Sequence, residues 1–158
     1  GLLGWRTAGA AGTQWDAAKA AINWANENAE ASGLKKSPSR WILEDGLSFV
    51  KKEVKRGKKY DAIIMDPPAF GRGADGELWK IEENFLPFLE LTFQLLSDTP
   101  LFFLINGYSA GYSAIAYENN LKELHSRLGS VIESGELVIK ESRSDRLLPC
   151  GIFSRWTR

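Results

Sequence analysis

Residues 60–80 constrain this chain more than any other stretch, and they read YDAIIMDPPAFGRGADGELWK. Ala62–Met65 is a short apolar run with β-branched residues, which is typical of a buried strand. The two prolines that follow Asp66 hold φ at about −65° and lack a backbone N–H, so the strand cannot continue. An acid at the carboxyl end of a strand, on a stiff turn, is how an open α/β sheet builds a binding site. A strand that simply ends in a polar surface turn remains the alternative.

Composition narrows the class of protein. A length of 158 residues, with 44% apolar and 25% charged residues, suits one ordinary globular domain. One Cys and one His exclude an internal disulfide and argue against a metal site, so no metal is expected. No apolar run approaches the roughly 20 residues of a membrane span, and no signal peptide is recognisable. We therefore expect a cytoplasmic protein, or one of an organellar matrix if its Gly1 start reflects processing.

Strands and helices are predicted to alternate along the chain. The predicted strands are Thr13–Trp15, Arg40–Leu43, Ala62–Met65, Pro100–Ile105, Val131–Glu141 and Arg146–Trp156, and the predicted helices cover 17–32, 47–56, 85–96 and 114–128. The last two strands form an antiparallel hairpin. This order predicts an α/β fold in which helices cover both faces of a mostly parallel sheet, within a single domain.

Local signals predict where these elements end. Asp16 is the expected N-cap of the first helix, and Gly33 suits the position just beyond its last turn. Pro87 fits a helix only near its first turn. Pro149 predicts a bulge in the closing hairpin.

The block D-P-P-A-F-G-R-G, after Y-D-A-I-I-M, resembles motif IV of the class I S-adenosylmethionine (SAM)-dependent methyltransferases. In particular it is similar to the family that methylates large-subunit ribosomal RNA on cytosine C5 or guanine nitrogens. The similarity covers about Gly9 to Trp156. It includes W-D-A-A-K at 15–19, E-D-G at 44–46, E-E-N-F-L-P-F-L-E-L at 82–91 and R-L-L-P-C-G at 146–151. The resemblance implies a Rossmann-like three-layer sandwich, SAM as cofactor and RNA, ribosomal RNA in particular, as substrate, with no membrane partner.

The family's first strand and its glycine-rich loop have no counterpart in this sequence. W-D-A-A matches the end of the family's second strand, with about 12 usable residues upstream. We therefore expect an N-terminally incomplete domain. Its Thr13–Trp15 and Ala62–Met65 strands would pair directly, or leave an exposed edge for a second copy or a partner chain. An inactive methyltransferase-like scaffold subunit, or an inactive fragment of the enzyme, is the alternative function.

The resemblance implies roles for residues that follow two of the strands. Asp16 would accept hydrogen bonds from the ribose hydroxyls of the cofactor, as in Rossmann folds generally. Asp45 would receive the adenine amino group, with Gly46 beside it and Ile42 lining the ring pocket. A helix cap for Asp16 and a polar loop position for Asp45 remain the structural alternatives.

Asp66, Pro67 and Pro68 form the expected reaction end, and Asp66 is also expected to face the cofactor. Methyl transfer requires the acceptor lone pair to be held in line with the methyl group. A carboxylate and a proline-locked carbonyl accept hydrogen bonds from an exocyclic amine and aim its nitrogen. Phe70 would stack on an extruded base, or else serve as a core phenylalanine. Ala69 separates it from the prolines, unlike the D-P-P-Y type of amino-methyltransferase.

Cysteine usage favours nitrogen over carbon as the methylated atom. Cytosine-C5 transfer needs a thiolate nucleophile, which the family carries near the loop after its fifth strand. That loop reads N-G-Y-S at 106–109 and has no Cys. Cys150 lies in the closing hairpin and is expected to be a small buried hydrophobe.

Overall fold

The computed structural model describes residues 10–36, 38–72, 78–108 and 111–158. The expectations for residues 1–9, and for the glycines at 73 and 76, lie outside this part. The chain divides into two compact units, one with residues 1–55 and 72–77 and the other with residues 56–71 and 78–158. That the chain forms a single domain stays a prediction. No helix among the described residues has the length and apolarity needed to cross a membrane.

The first unit is a parallel strand pair with two helices. Its elements are β1 (Gly12–Asp16), α1 (Lys19–Ala31), β2 (Ser39–Leu43) and α2 (Gly46–Lys55). The two strands pair in register from Gly12 opposite Ser39 to Asp16 opposite Leu43. Buried side chains of the helices, Ile22 and Ala29 on α1 and Phe49 and Val50 on α2, provide its core.

Two further contacts hold α2 to the strands of the first unit. Trp15 of β1 stacks on Phe49 of α2, with ring centroids 4.8 Å apart. Arg40 of β2 reaches the fully buried Glu53 of α2 at 3.1 Å. A buried carboxylate needs such a partner, because an uncompensated charge in the interior is strongly destabilising.

The second unit is built on a four-stranded sheet. Its elements are β3 (Ala62–Met65), β4 (Phe70–Arg72, which ends at the unit boundary), β5 (Leu78–Lys80), α3 (Ile81–Phe93), β6 (Phe102–Gly107), α4 (Ala114–Leu128), β7 (Val131–Lys140) and β8 (Leu147–Thr157). The strand order is β3-β6-β8-β7, and β4 and β5 form a separate ribbon. β3 runs parallel to β6, whereas β8 is antiparallel to both β6 and β7.

The core of the second unit lies between its helices and this sheet. Phe93 of α3 packs edge-on against Phe103 of β6, with centroids 5.1 Å apart. Tyr117 and Leu121 of α4 are fully buried, and α4 packs on β7 and β8. The fully buried Trp156 donates its indole N–H to the carbonyl of Gly129 at 3.1 Å. An aromatic layer of this kind supplies much of the apolar burial that stabilises the unit.

Several local predictions are confirmed. Ala62–Met65 is a strand with the predicted bounds. Gly33, just beyond the last turn of α1, has a φ of 69°, in the left-handed region that glycine adopts without strain. Gly129, at the C-cap of α4, also has a positive φ, of 72°. In the closing hairpin Leu137 pairs with Gly151 but Val138 pairs with Pro149, so the bulge lies where the proline predicted it.

Two other predictions are wrong, and two strands were not predicted. The first helix begins at Lys19 with Ala18 at its N-cap, so Asp16 is not the cap. Pro87 lies inside α3, because that helix begins earlier than its apolar face indicated. No signal predicted β4 and β5, whose short pairing lies within the glycine-rich segment.

β1 and β3 do not pair directly, which corrects one of the two expected arrangements. They lie in different sheets, and among the described strands each has a neighbour on one side alone. β1 forms its ladder with β2, and β3 forms its ladder with β6.

Candidate active site

Asp16 and Asp45 lie at the same edge of the first unit, because β1 and β2 are parallel and end there. The Oδ1 atom of Asp16 accepts the backbone N–H of Ala18 at 2.7 Å. The Oδ2 atom of Asp45 accepts the backbone N–H of Ser48 at 2.8 Å, within the first turn of α2. Both carboxylates therefore order the chain that follows their strands, and Asp45 takes a capping role at α2.

Each of these carboxylates also keeps a second oxygen that accepts no hydrogen bond from any described residue. Both side chains are partly exposed. Ile42, beside them on β2, pairs with Trp15 and is half-buried, and Gly46 is the first residue of α2. Four of the five residues predicted to hold the cofactor thus cluster at the carboxyl ends of β1 and β2, and the fifth, Asp66, belongs to the second unit. Their cofactor role stays a prediction.

In the second unit, Asp66 and Asn106 come together at the carboxyl ends of two neighbouring strands. Met65 of β3 pairs with Ile105 of β6, so the residues that follow lie side by side. Desolvation by the surrounding chain raises the pKa of the Asp66 carboxyl above its ordinary value, although the residue remains exposed. A hydrogen bond from Asn106 works against this shift, because it favours the charged form.

We call the segment Asp66–Phe70 the elbow. Two of its carbonyl groups accept hydrogen bonds from residues outside it. The carbonyl of Pro68 accepts the indole N–H of Trp79 at 2.7 Å. The carbonyl of Ala69 accepts the backbone N–H of Ile81 at 3.1 Å. Pro67 is buried, and no described residue donates a hydrogen bond to its carbonyl.

Phe70 points away from the core, since 60% of its surface is exposed. The alternative in which it serves as a core phenylalanine is therefore wrong. An exposed aromatic ring at the end of the elbow is free to stack on a planar ligand. That stacking role stays a prediction.

Tyr117 of α4 lies near the Asp66 carboxylate. Its side chain is fully buried, and its hydroxyl has no hydrogen-bond partner among the described residues. Its ring packs against Tyr112 at 5.8 Å and against Phe85 at 5.6 Å. Burial raises the pKa of the Tyr117 phenol, and the neighbouring Tyr112 and the charge of Asp66 add to the shift. The phenol therefore stays neutral and remains a hydrogen-bond donor at neutral pH.

Sequence reasoning missed Asn106, Trp79 and Tyr117. Asn106 follows an apolar strand as Asp66 does, so the rule that ligands bind at the carboxyl ends of strands was sufficient to find it. Trp79 and Tyr117 had no such signal, because an isolated aromatic residue reads as core in most patterns. The bond from Trp79 to Pro68 and the position of Tyr117 near Asp66 are tertiary contacts that the sequence does not show.

Cys150 is not the buried hydrophobe that was expected. It is exposed on β8, where its thiol donates to the carbonyl of Leu148 at 3.4 Å. The bulge at Pro149 accounts for this position, because Cys150 is the extra residue between two ladder pairs. Among the described residues, no group of three or more His, Cys, Asp or Glu side chains is placed to hold a metal ion.

No protein-family model matches the sequence. The structure is similar to the SAM-dependent methyltransferase from Agrobacterium tumefaciens, with a TM-score of 0.85 and 39% identity over 92% of this chain and 48% of that one. The fold is that of the SAM-dependent methyltransferases. A second methyltransferase structure, complexed with SAH, has a TM-score of 0.65 and 17% identity over 93% of this chain and 39% of its own, which shows the fold alone.

A curated relative is named as a ribosomal RNA methyltransferase. Ribosomal RNA large subunit methyltransferase I of Aeromonas salmonicida is 30% identical over 82 residues, which cover 52% of this chain and 20% of the relative. The chain thus spans about half of the Agrobacterium protein and a fifth of this relative. The resemblance seen in the D-P-P-A-F block is confirmed, and so is the α/β fold with a C-terminal antiparallel hairpin.

Proposed function

We propose that this chain is the catalytic part of a SAM-dependent methyltransferase that acts on RNA, specifically on a base nitrogen of ribosomal RNA. The observation that carries the proposal is the elbow: a partly desolvated Asp66 carboxylate at the end of β3, beside Asn106 and followed by two prolines. The similarity to the Agrobacterium methyltransferase supports the reaction type. The name of the Aeromonas relative supports the ribosomal substrate.

The first unit supplies the cofactor residues of this proposal. Asp16 and Asp45 each offer a carboxylate oxygen without a described partner, which suits the hydroxyl and amino donors of an adenosine group. Ile42 and Gly46 would lie along the adenine ring. SAM supplies the methyl group on a sulfonium centre, which needs no metal.

The second unit supplies the residues that handle the acceptor. The ionised Asp66 and the carbonyl of Pro67 accept hydrogen bonds from an exocyclic amine and orient its nitrogen. The Pro68 carbonyl already accepts the Trp79 indole, so Pro68 contributes mainly by stiffening the chain. As the nitrogen gains the methyl group it loses a proton, and the raised pKa of the Asp66 carboxyl makes it a better acceptor for that proton. Phe70 stacks on the base.

The distribution of cysteine supports nitrogen as the acceptor atom. The end of β6 and the segment that follows it read N-G-Y-S-A-G at 106–111 and offer no thiol for attack on a cytosine ring. The one cysteine of the chain, Cys150, lies at the β8 bulge instead.

Methylation assays on two variants test this proposal. With labelled SAM and large-subunit ribosomal RNA, Asp66→Ala should lose about 10²-fold or more in rate, because the acceptor is no longer aimed. Cys150→Ser should keep wild-type activity, and nucleoside analysis should find the methyl group on nitrogen. Loss of activity in Cys150→Ser, together with 5-methylcytidine as product, would overturn the choice of atom.

We further propose that the unpaired strand edge mediates self-association or binding of a partner chain. β3 pairs with β6 on one side alone within the described residues, and an open strand edge is a template for another strand. The same edge favours the second candidate function, a methyltransferase-like scaffold subunit without catalysis. RNA binding by the wild-type chain with no methyl transfer under the conditions above would select that second function.

A further inference from the structure

The elbow is tied to a segment on the far side of the glycine-rich stretch. Trp79 of β5 donates its indole N–H to the Pro68 carbonyl at 2.7 Å. Two residues later, the backbone N–H of Ile81 donates to the Ala69 carbonyl at 3.1 Å. Two consecutive carbonyls of the elbow therefore accept hydrogen bonds from residues 79–81.

Residues 79–81 are themselves fixed to the core of the second unit. Ile81, the first residue of α3, is 1% exposed. The indole of Trp79 meets the buried Phe88 edge-on, with centroids 5.6 Å apart. The backbone N–H of Lys80 donates to the side chain of Asn84 at 2.8 Å, which closes the first turn of α3. The packing of α3 therefore fixes residues 79–81, and these residues in turn fix the elbow.

The Trp79 hydrogen bond also makes the two proline carbonyls different from each other. It engages the carbonyl of Pro68, while that of Pro67 accepts no hydrogen bond from a described residue. Trp79 lies in β5, which pairs with β4, and β4 begins with Phe70. Residue 79 is therefore linked to the elbow in two ways: its side chain binds the Pro68 carbonyl, and its strand pairs with the strand that begins at Phe70.

The packing of the Trp79 ring does not by itself require its indole N–H to donate to a protein carbonyl. Trp79 is partly exposed, so water is available to satisfy its N–H without any protein partner. The direct hydrogen bond from Trp79 to the Pro68 carbonyl restricts the elbow instead. Prolines remove backbone donors, so a loop of this kind depends on side chains for its remaining hydrogen bonds.

We propose that Trp79 is a positioning residue for methyl transfer. Its indole N–H holds the Pro68 carbonyl, and through it sets the orientation of the Asp66 carboxylate, the Pro67 carbonyl and Phe70 towards the acceptor base. The proposal rests on the methyltransferase function proposed above. It assigns Trp79 no contact with the substrate.

A single-atom replacement tests this role. Incorporation of 3-benzothienylalanine at position 79 replaces the indole N–H by sulfur and keeps the shape of the ring. We expect kcat to fall by about 10- to 100-fold, because the acceptor is misaligned. KM for SAM should change little, since Asp16, Ile42, Asp45 and Gly46 lie in the first unit, and the Tm should fall little.

The same replacement at Trp156 is the matched control. Its indole N–H also donates to a backbone carbonyl, that of Gly129, but within the core and away from the elbow. This variant should lose thermal stability and keep kcat. If the Trp79 variant kept its kcat, or if both variants lost activity in proportion to their loss of stability, Trp79 would be structural and the proposal wrong.

Hydrogen–deuterium exchange separates failure of this inference from failure of the proposed function. The amides of residues 69–72 should exchange faster in the Trp79 variant than in the wild type, and at an unchanged rate in the Trp156 variant. This comparison needs no activity. Unchanged exchange at 69–72 overturns the role of Trp79, whereas faster exchange in a chain that transfers no methyl group supports the restraint and rejects the methyltransferase assignment.

Discussion

At the scale of single residues, two effects shift the pKa of the Asp66 carboxyl in opposite directions. Desolvation raises the pKa of its carboxyl, and the hydrogen bond from Asn106 favours the charged form. The ionised form is the one that accepts hydrogen bonds from an amine. Keeping a partly desolvated carboxylate at the end of β3 therefore costs folding free energy at neutral pH, which is common for residues that serve a reaction.

Asp66→Asn should abolish methyl transfer without lowering stability at neutral pH. A carboxyl with a raised pKa in the folded state binds its proton more tightly there than in the unfolded chain. Stability is therefore lost as pH rises from the ordinary pKa through the raised one, and the amide removes this loss. Urea unfolding of both proteins across that window should show a weaker pH dependence in the variant.

Asp98→Asn, an exposed carboxylate in the same unit, is the control for the general effect of removing a charge. If Asp66→Asn were less stable than the wild type at neutral pH and Asp98→Asn were not, the Asp66 carboxylate would not cost folding free energy. Asp66 would instead support the fold.

At the scale of elements, α4 approaches the end of β6 unusually closely. A Cβ atom built on Gly107 would lie 2.5 Å from the hydroxyl oxygen of Tyr117 and 3.3 Å from Cζ of the same ring. A Cβ on Gly151 would lie 2.8 Å from the carbonyl of Gly107, and Gly151 has a φ of 148°. Two glycines thus let α4, β6 and β8 meet just beyond Asn106.

Gly107→Ala should lower the free energy of unfolding by about 1–3 kcal/mol, because it overpacks this contact. Tyr117→Phe alone should be nearly neutral, since the hydroxyl that it removes has no described partner. The double variant should recover part of the loss, because the nearest clashing atom is gone. Urea unfolding of the four proteins gives the coupling, and strictly additive effects would contradict the contact.

At the scale of the whole molecule, the strand edges are the feature with the largest consequence. β1 and β3 each have a single described neighbour, in separate sheets. Unpaired backbone groups cost about 1–3 kcal/mol each when buried, which is large beside a net stability of about 5–15 kcal/mol. An open strand edge is a template for pairing with a further strand.

We expect the 158-residue chain either to self-associate or to bind SAM weakly. Sedimentation velocity over a range of concentrations, with and without SAM, and a calorimetric SAM titration check both properties on the same sample. A monomer at every concentration with micromolar SAM affinity would contradict this expectation. It would show that strand pairing within one copy already completes the cofactor site.

Much of the secondary structure followed from the sequence by itself. Two prolines end β3 because they lack backbone donors, and glycines end α1 and α4 because they adopt positive φ without strain. These effects act within a few residues, so they survive any tertiary arrangement. The Asp66 elbow, as a candidate site at a strand end, was predictable for the same reason.

Tertiary structure decided which groups Asp66 and its elbow meet. The parallel register of β3 and β6 brings Asn106 beside Asp66, and the packing of α3 brings Trp79 to Pro68. Packing also overrode local rules: the helix α3 continues through Pro87, and the β8 bulge leaves Cys150 exposed. Such contacts depend on strand register and helix packing between residues far apart in the chain, which local residue preferences do not encode.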